Sequence, residues 1–141
     1  MSISLGDNIM AIKAAIVSIG DELMNGFTVD SNSSWIARNI LIYDTIKISS
    51  KVTVGDNSAN IKKIINDLLT DKYKYIFITG GLGPTHDDIT KHTLCDYFNC
   101  GLELNENYYN ELLDLYNKKS NLDHLEDQAK ILDISKPIKN N

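Results

Sequence analysis

Apolar residues along the chain fall into short continuous runs that alternate with stripes at helical spacing. Residues 14–19, Ala-Ala-Ile-Val-Ser-Ile, lead into Gly20 and predict a buried strand. Over residues 31–43, Trp35, Ile36, Ile40, Leu41 and Tyr43 stand near helical spacing, which predicts a helix with Trp35 on its inward stripe. Residues 45–54 alternate, with Ile46, Ile48, Val52 and Val54 sharing one parity, as a strand does. Ile61, Ile64, Ile65, Leu68 and Leu69 form a helical stripe over residues 57–69. The run Tyr75-Ile-Phe-Ile-Thr79 predicts another buried strand, and residues 89–98 predict a helix. Beyond Gly101 the chain turns polar and helical. Residues 105–119 place Tyr108, Tyr109, Leu112, Leu113, Leu115 and Tyr116 inward, and a shorter helix covers 122–130. Ile131 to Ile134 begin a further strand, and Pro137 ends any local helix.

Strand and helix alternate three times, a pattern built from parallel strands with right-handed crossovers. The expected fold is α/β, a three-layer α/β/α domain around a mostly parallel sheet. Such sheets bind ligands outside the carboxyl ends of their strands. Gly20-Asp21-Glu22 follows the first strand, Gly55-Asp56 the second, and a glycine-rich loop the third, so three acidic loops share one rim. Alone, Gly20-Asp21-Glu22 also reads as a plain turn or cap, and Asp56 as the N-cap of the helix behind it.

The third loop runs Thr79-Gly80-Gly81-Leu82-Gly83-Pro84-Thr85-His86-Asp87-Asp88-Ile89 and closes on Thr90. Its three glycines let backbone approach a ligand, and the following helix start offers unpaired N–H groups and a partial positive charge. Gly80, Gly81, Leu82, Gly83, Thr85 and Thr90 are therefore the candidate phosphate-binding stretch. Asp87 and Asp88 repel a phosphate unless a cation lies between them. The loop thus points to metal-assisted phosphate chemistry, or to a base aimed at a phosphate ester. Candidate metal ligands are Asp21, Glu22, Asp87 and Asp88. Asp30 and Asn32, after the first acidic loop, are candidate contacts for a ribose or phosphate.

A length of 141 residues suggests one domain, expected over 10–141, with residues 1–9 as a disordered extension. The net charge of −5 and the absence of a basic stripe disfavour nucleic-acid binding. The longest apolar run is too short for a bilayer, and the N-terminus lacks the basic and apolar parts of a signal peptide. A cytoplasmic location is expected, with neither membrane nor nucleic acid as partner. Cys95 and Cys100 read as ordinary thiols without the further ligands of a zinc site. His86, His92, His124, Arg38 and Lys91 read as solvent-facing.

Taken together, Gly20-Asp-Glu-Leu, Asp30-x-Asn32, Val54-Gly-Asp56 and Gly80-Gly-Leu-Gly-Pro-Thr-x-Asp-Asp-x-Thr90 resemble the molybdopterin-binding (MoaB/Mog) domain family. The Leu-Gly-Pro-Thr version resembles the branch forming the N-terminal part of competence/damage-inducible protein A (CinA). The resemblance implies the same fold, and Gln128-Ala129 fits the stretch before the family's last glycine-proline loop. That loop and the structure behind it are expected to be missing, leaving the domain incomplete at its C-terminus. In the Mog branch the positions of Asp56 and Asp88 serve adenylation of molybdopterin. In the CinA branch the implied activity is metal-dependent (Mg²⁺ or Co²⁺) cleavage of a nucleotide diphosphate such as ADP-ribose or FAD, with Asp56, Asp87 and Asp88 as catalytic acids. The CinA-like loop favours the hydrolase, with molybdopterin as the alternative ligand and a non-enzymatic binding module as a third reading. The family also implies a homo-oligomer, dimer or trimer.

Overall fold

The computed structural model describes residues 11–83, 88–116 and 122–138. Three parallel strands, β1 (Ile12–Ile19), β2 (Ile46–Val54) and β3 (Tyr75–Thr79), form a sheet in the order β2-β1-β3. The central place of β1 explains its composition: both neighbours hydrogen-bond to it, both faces are covered, and Ala14 to Ile19 are all buried. Its register against β2 shifts between Ala14 and Ala15, so Ala14 faces Ile48 while Ala15 faces Ser50.

Alternate residues of β1 serve different layers. Ala15, Val17 and Ile19 join Val54 and the buried stripe Ile61, Ile65 and Leu68 of α3 (Ser58–Thr70) in the main core. Leu94 and Tyr97 of α4 (Thr90–Phe98) pack against the same cluster. Burial of each large aliphatic side chain contributes about 1.5–3 kcal/mol. Opposite, α2 (Ser31–Ile40) packs on β1 and β2, completing three layers. A four-residue turn of helix, α1 (Asp21–Met24), follows β1 directly. Beyond α4, β4 (Leu102–Leu104) and β5 (Lys130–Leu132) pair antiparallel. They flank α5 (Glu106–Leu115) and α6 (Leu122–Ala129), whose own small core is Leu112, Leu125 and Ala129.

The expected elements are present, with several corrections in detail. Trp35 is not core: it is 66% exposed. The carboxylate of Asp30 ties the start of α2 to Ser18 of β1, which turns the buried Ser33 toward the sheet. Two residues on, a helix has rotated about 200°, so Trp35 faces away. The helix also stops at Ile40, leaving Leu41 and Tyr43 exposed beyond it. Leu69 lies one step around α3 from Leu68 and is exposed. On α5 only Leu112 is fully inward; Tyr108, Leu115 and Tyr116 are exposed because a single narrow stripe meets α6. The last strand spans 130–132, and Ile134 lies outside it and is exposed. Asp56 is not the cap of α3. Asn57 is, its side chain accepting from Asn60 N at 3.0 Å.

Candidate functional site

The carboxyl ends of all three strands open on one rim. After β1 and β2 the chain turns at Gly20 and Gly55, and the next acids meet. Asp21 N donates to Asp56 Oδ2 at 2.9 Å, and Asp56 N donates to Asp21 Oδ1 at 3.1 Å. Each acid thus satisfies the other's backbone and keeps a second carboxylate oxygen for a further partner. Backbone donors to carboxylates are charge-assisted, which offsets the repulsion of two acids held so near.

The third loop is shaped by contacts that exclude a side chain at its glycines. Gly80 has φ +94° and lies against the Ile19 carbonyl of the neighbouring strand, where a Cβ would collide. Gly81 has φ +59°, and a Cβ there would collide with Thr90 Oγ1 and lie 3.6 Å from Asp56 Oδ1. So the glycine turn passes beside the Asp21–Asp56 pair. Thr90, fully buried, pins the turn twice: its hydroxyl donates to Gly80 O at 2.9 Å and its N–H to Gly81 O at 3.1 Å. Asp88 folds over the other end of the turn, its Oδ2 lying 2.7 Å from where a Cβ on Gly83 would stand. Leu82 projects outward and is exposed. Thr85, His86 and Asp87 lie outside the described residues.

A cleft of about 110 Å³ adjoins the turn, lined by Ile19, Glu22, Leu23, Asp30, Asn32, Thr79 and Gly80 among others. Glu22 folds back toward Gly20. Asp30 accepts from Ser18 Oγ at 2.7 Å and from Ser33 N at 2.9 Å, so both its oxygens already have partners. Burial pushes the Asp30 carboxyl up, but those hydrogen bonds and the charge of Lys51 outweigh it and hold it below its ordinary value. Asn32 Nδ2 donates to Thr79 Oγ1 at 3.0 Å, joining the α2 start to the end of β3.

Among the described residues no group of three or more His, Cys, Asp or Glu is arranged to hold a metal unaided. The donors on this rim are hard carboxylate oxygens around a glycine turn. That set fits a Mg²⁺-type ion, which commonly takes one or two carboxylates and completes its shell with phosphate oxygens and water.

The structure brings together Asp21, Asp56, Gly80, Gly81 and Thr90, and sets Asp88 at Gly83. Glu22, Asp30 and Asn32 stand around the adjoining cleft. His92, His124 and Arg38 are exposed, as expected. Lys91 differs. Its Nζ reaches the end of α6 and donates to Asp127 O at 2.7 Å, with Lys130 O at 3.3 Å and Gln128 O at 3.5 Å. Burial lowers its pKa, while Asp127 and Asp88 act against that and Lys130 with it. Carbonyls exposed at a helix end draw a cation that periodicity alone assigned to solvent. Ser18 was also missed. Its only signal was a hydroxyl inside an otherwise apolar strand.

The family described as "Probable molybdopterin binding domain" matches residues 15–131. The chain belongs to the molybdopterin-binding MoaB/Mog family. Within it the chain is CinA-like: it is 41% identical over 123 residues to a CinA-like protein of Flavobacterium psychrophilum, covering 84% of this chain and 28% of that protein. The chain therefore spans just over a quarter of that relative. In structure it is similar to a CinA protein of unknown function from Thermoplasma acidophilum, with TM-score 0.77 and 26% identity over 92% of this chain and 76% of that one. The molybdopterin biosynthesis enzyme MoaB of Thermus thermophilus shares the fold, with TM-score 0.54 and 23% identity over 60% of this chain and 54% of that one. No described helix is long and apolar enough to cross a membrane.

Proposed function

We propose that the rim binds a nucleotide diphosphate of the ADP-ribose or FAD type and hydrolyses it with the help of a divalent cation. The observation that carries this reading is the reciprocal Asp21–Asp56 pair set directly beside the Gly80–Gly81 turn. Diphosphate oxygens accept hydrogen bonds from backbone N–H groups of the turn, which cost no reorganisation during the reaction. Asp88 or Asp56 takes a proton from water as it attacks one phosphorus, the bridging P–O bond breaks, and two phosphate monoesters leave. Asp21, Glu22, Asp87 and Asp88 would hold Mg²⁺ or Co²⁺, which would supply charge neutralisation on the diphosphate. The cleft lined by Asp30 and Asn32 adjoins Gly80, which supports it as the place for the ribose. Release of AMP from ADP-ribose, with and without divalent cation, tests the assignment.

Binding or adenylation of molybdopterin is the second reading, and the family match favours it. It uses the same turn, with Asp56 and Asp88 against the pterin phosphate. Fluorescence titration with molybdopterin distinguishes the two. We further propose a cytoplasmic location, and a homo-oligomer that the outward Phe27, Val29, Trp35 and Leu41 support. Sedimentation of a purely monomeric species would remove the oligomer.

A further inference from the structure

The two cysteines meet at the end of α4, away from the glycine turn. The helix ends at Asn99, whose left-handed φ of +54° turns the chain sharply back. The N–H groups of Asn99 and Cys100 both converge on Cys95 O, the latter at 3.0 Å. This six-residue closure is the helix ending in which side chains at the first and last positions come into contact. Here both positions are cysteine and both are free thiols, so the backbone closure sets the two sulfur-bearing side chains at adjoining places.

We propose that Cys95 and Cys100 are an oxidisable dithiol that a peroxide converts to an intramolecular disulfide across the end of α4. The surroundings tolerate that bond. Cys95 Sγ also lies 3.4 Å from Gly101 O, as donor, but that carbonyl accepts from Asp133 N at 3.0 Å as well. Losing the thiol proton therefore leaves no buried carbonyl without a partner. Gly101 N keeps its bond to Asp133 Oδ2 at 3.0 Å, so the start of β4 stays in place.

The order of events follows from exposure. Cys95 is buried, and burial first, then contact with Cys100 and the charges of Asp133 and Asp96, push its thiol up to about 11. Cys100 is only half-buried, so it meets the oxidant first. Its thiol gives up a proton, the thiolate attacks one peroxide oxygen, the O–O bond breaks, and the departing hydroxide takes up that proton, leaving a sulfenic acid and water. The Cys95 sulfur then attacks that sulfur. The S–S bond forms and hydroxide leaves, taking up the Cys95 proton as water. In total, two thiols and one hydrogen peroxide give one disulfide and two waters, with two electrons passing from sulfur to oxygen. The bond fixes the junction between the three-layer body and the antiparallel β4–β5 pair.

The test treats the chain with stoichiometric hydrogen peroxide, alkylates it with N-ethylmaleimide, and maps its peptides by mass spectrometry. The peptide or peptide pair holding Cys95 and Cys100 should be lighter by two hydrogens and take no label, and dithiothreitol should restore both labelling sites. In Cys95→Ser, Cys100 should stop at the sulfenic acid and be captured by dimedone. In Cys100→Ser, Cys95 should stay a thiol under the same dose. Full labelling of both cysteines after oxidation would overturn the proposal. So would Cys100 passing to sulfinic acid, or to a disulfide between chains, while Cys95 remains alkylatable in the wild-type chain.

Discussion

Asp21 and Asp56, separated by 35 positions in sequence, each accept a hydrogen bond from the other's backbone, at 3.1 and 2.9 Å respectively. The turns after two different strands are thereby closed into one acidic unit beside the glycine loop. Asp56→Ala removes one carboxylate from the unit and leaves the Asp21 N–H without its acceptor, while the backbone N–H of residue 56 still donates to Asp21 Oδ1. Because both bonds are exposed to water, unfolding free energy should fall by only about 1 kcal/mol. Turnover of the nucleotide diphosphate should fall by about 10²-fold or more if Asp56 handles a proton. Denaturant melts and steady-state kinetics on the same preparation separate the two losses. Equal loss in Asp56→Ala and Asp56→Asn would point to charge, and rescue by Asn to tethering.

Gly81→Ala should damage fold and site together. The residue sits at φ +59°, and the new methyl would strike Thr90 Oγ1. Strain of about 1–2 kcal/mol adds to loss of the Thr90–Gly80 hydrogen bond. A thermal melt should show a clear drop in Tm, and calorimetry with ADP-ribose should show weakened binding. A variant of unchanged affinity would mean that the turn does not hold the ligand.

Asp30 joins α2 to β1, and its removal should be felt through both. Asp30→Ala deletes the α2 cap and leaves Ser18 Oγ, which is 1% exposed, without its acceptor. The expected cost is about 2 kcal/mol, read from chemical denaturation. The pH dependence has a definite sign. The folded carboxyl lies below its ordinary value of 3.8. Its contribution is therefore complete above that value and is lost as pH falls through the lower, folded one. Stability curves of wild type and Asp30→Asn should converge on acidification in that range. Parallel curves would show that the carboxylate is not what Ser18 and Ser33 stabilise.

Lys91 should matter for stability although it was expected in solvent. Lys91→Met keeps the aliphatic stem and removes the charged donor from the end of α6, and a loss of about 1–2 kcal/mol is expected. Hydrogen exchange should quicken in α6 more than in α3. No change in α6 protection would contradict the capping role.

Much of this architecture is legible in the sequence because β1 and α3 bury strongly apolar, periodic segments; β3, expected buried, lies at the sheet edge with Tyr75 exposed and the rest of its run half-buried. The run after Gly20 and the loop around Gly80–Gly83 also announce the rim, since glycine and acid crowd the ends of strands. What escapes is decided by single polar atoms. Periodicity places Trp35 inward, but the Asp30–Ser18 bond rotates α2 and sends Ser33 to the sheet instead. Asp56 reads as a helix cap until Asp21, distant in sequence, claims it. Lys91 carries no local sign of α6, because the carbonyls it meets lie more than 35 residues on. Contacts across loops follow from tertiary placement, which hydrophobic spacing does not encode.

Cleavage of ADP-ribose followed by ³¹P NMR tests the central claim most directly. With Mg²⁺ or Co²⁺ present, the wild-type chain should replace the two diphosphate resonances with two monoester resonances, those of AMP and ribose 5-phosphate. Chelation should stop the conversion, and Asp88→Asn should slow it by about 10²–10⁴-fold. Diphosphate signals that neither shift nor decay with the wild-type chain and either cation would contradict both binding and hydrolysis at this rim.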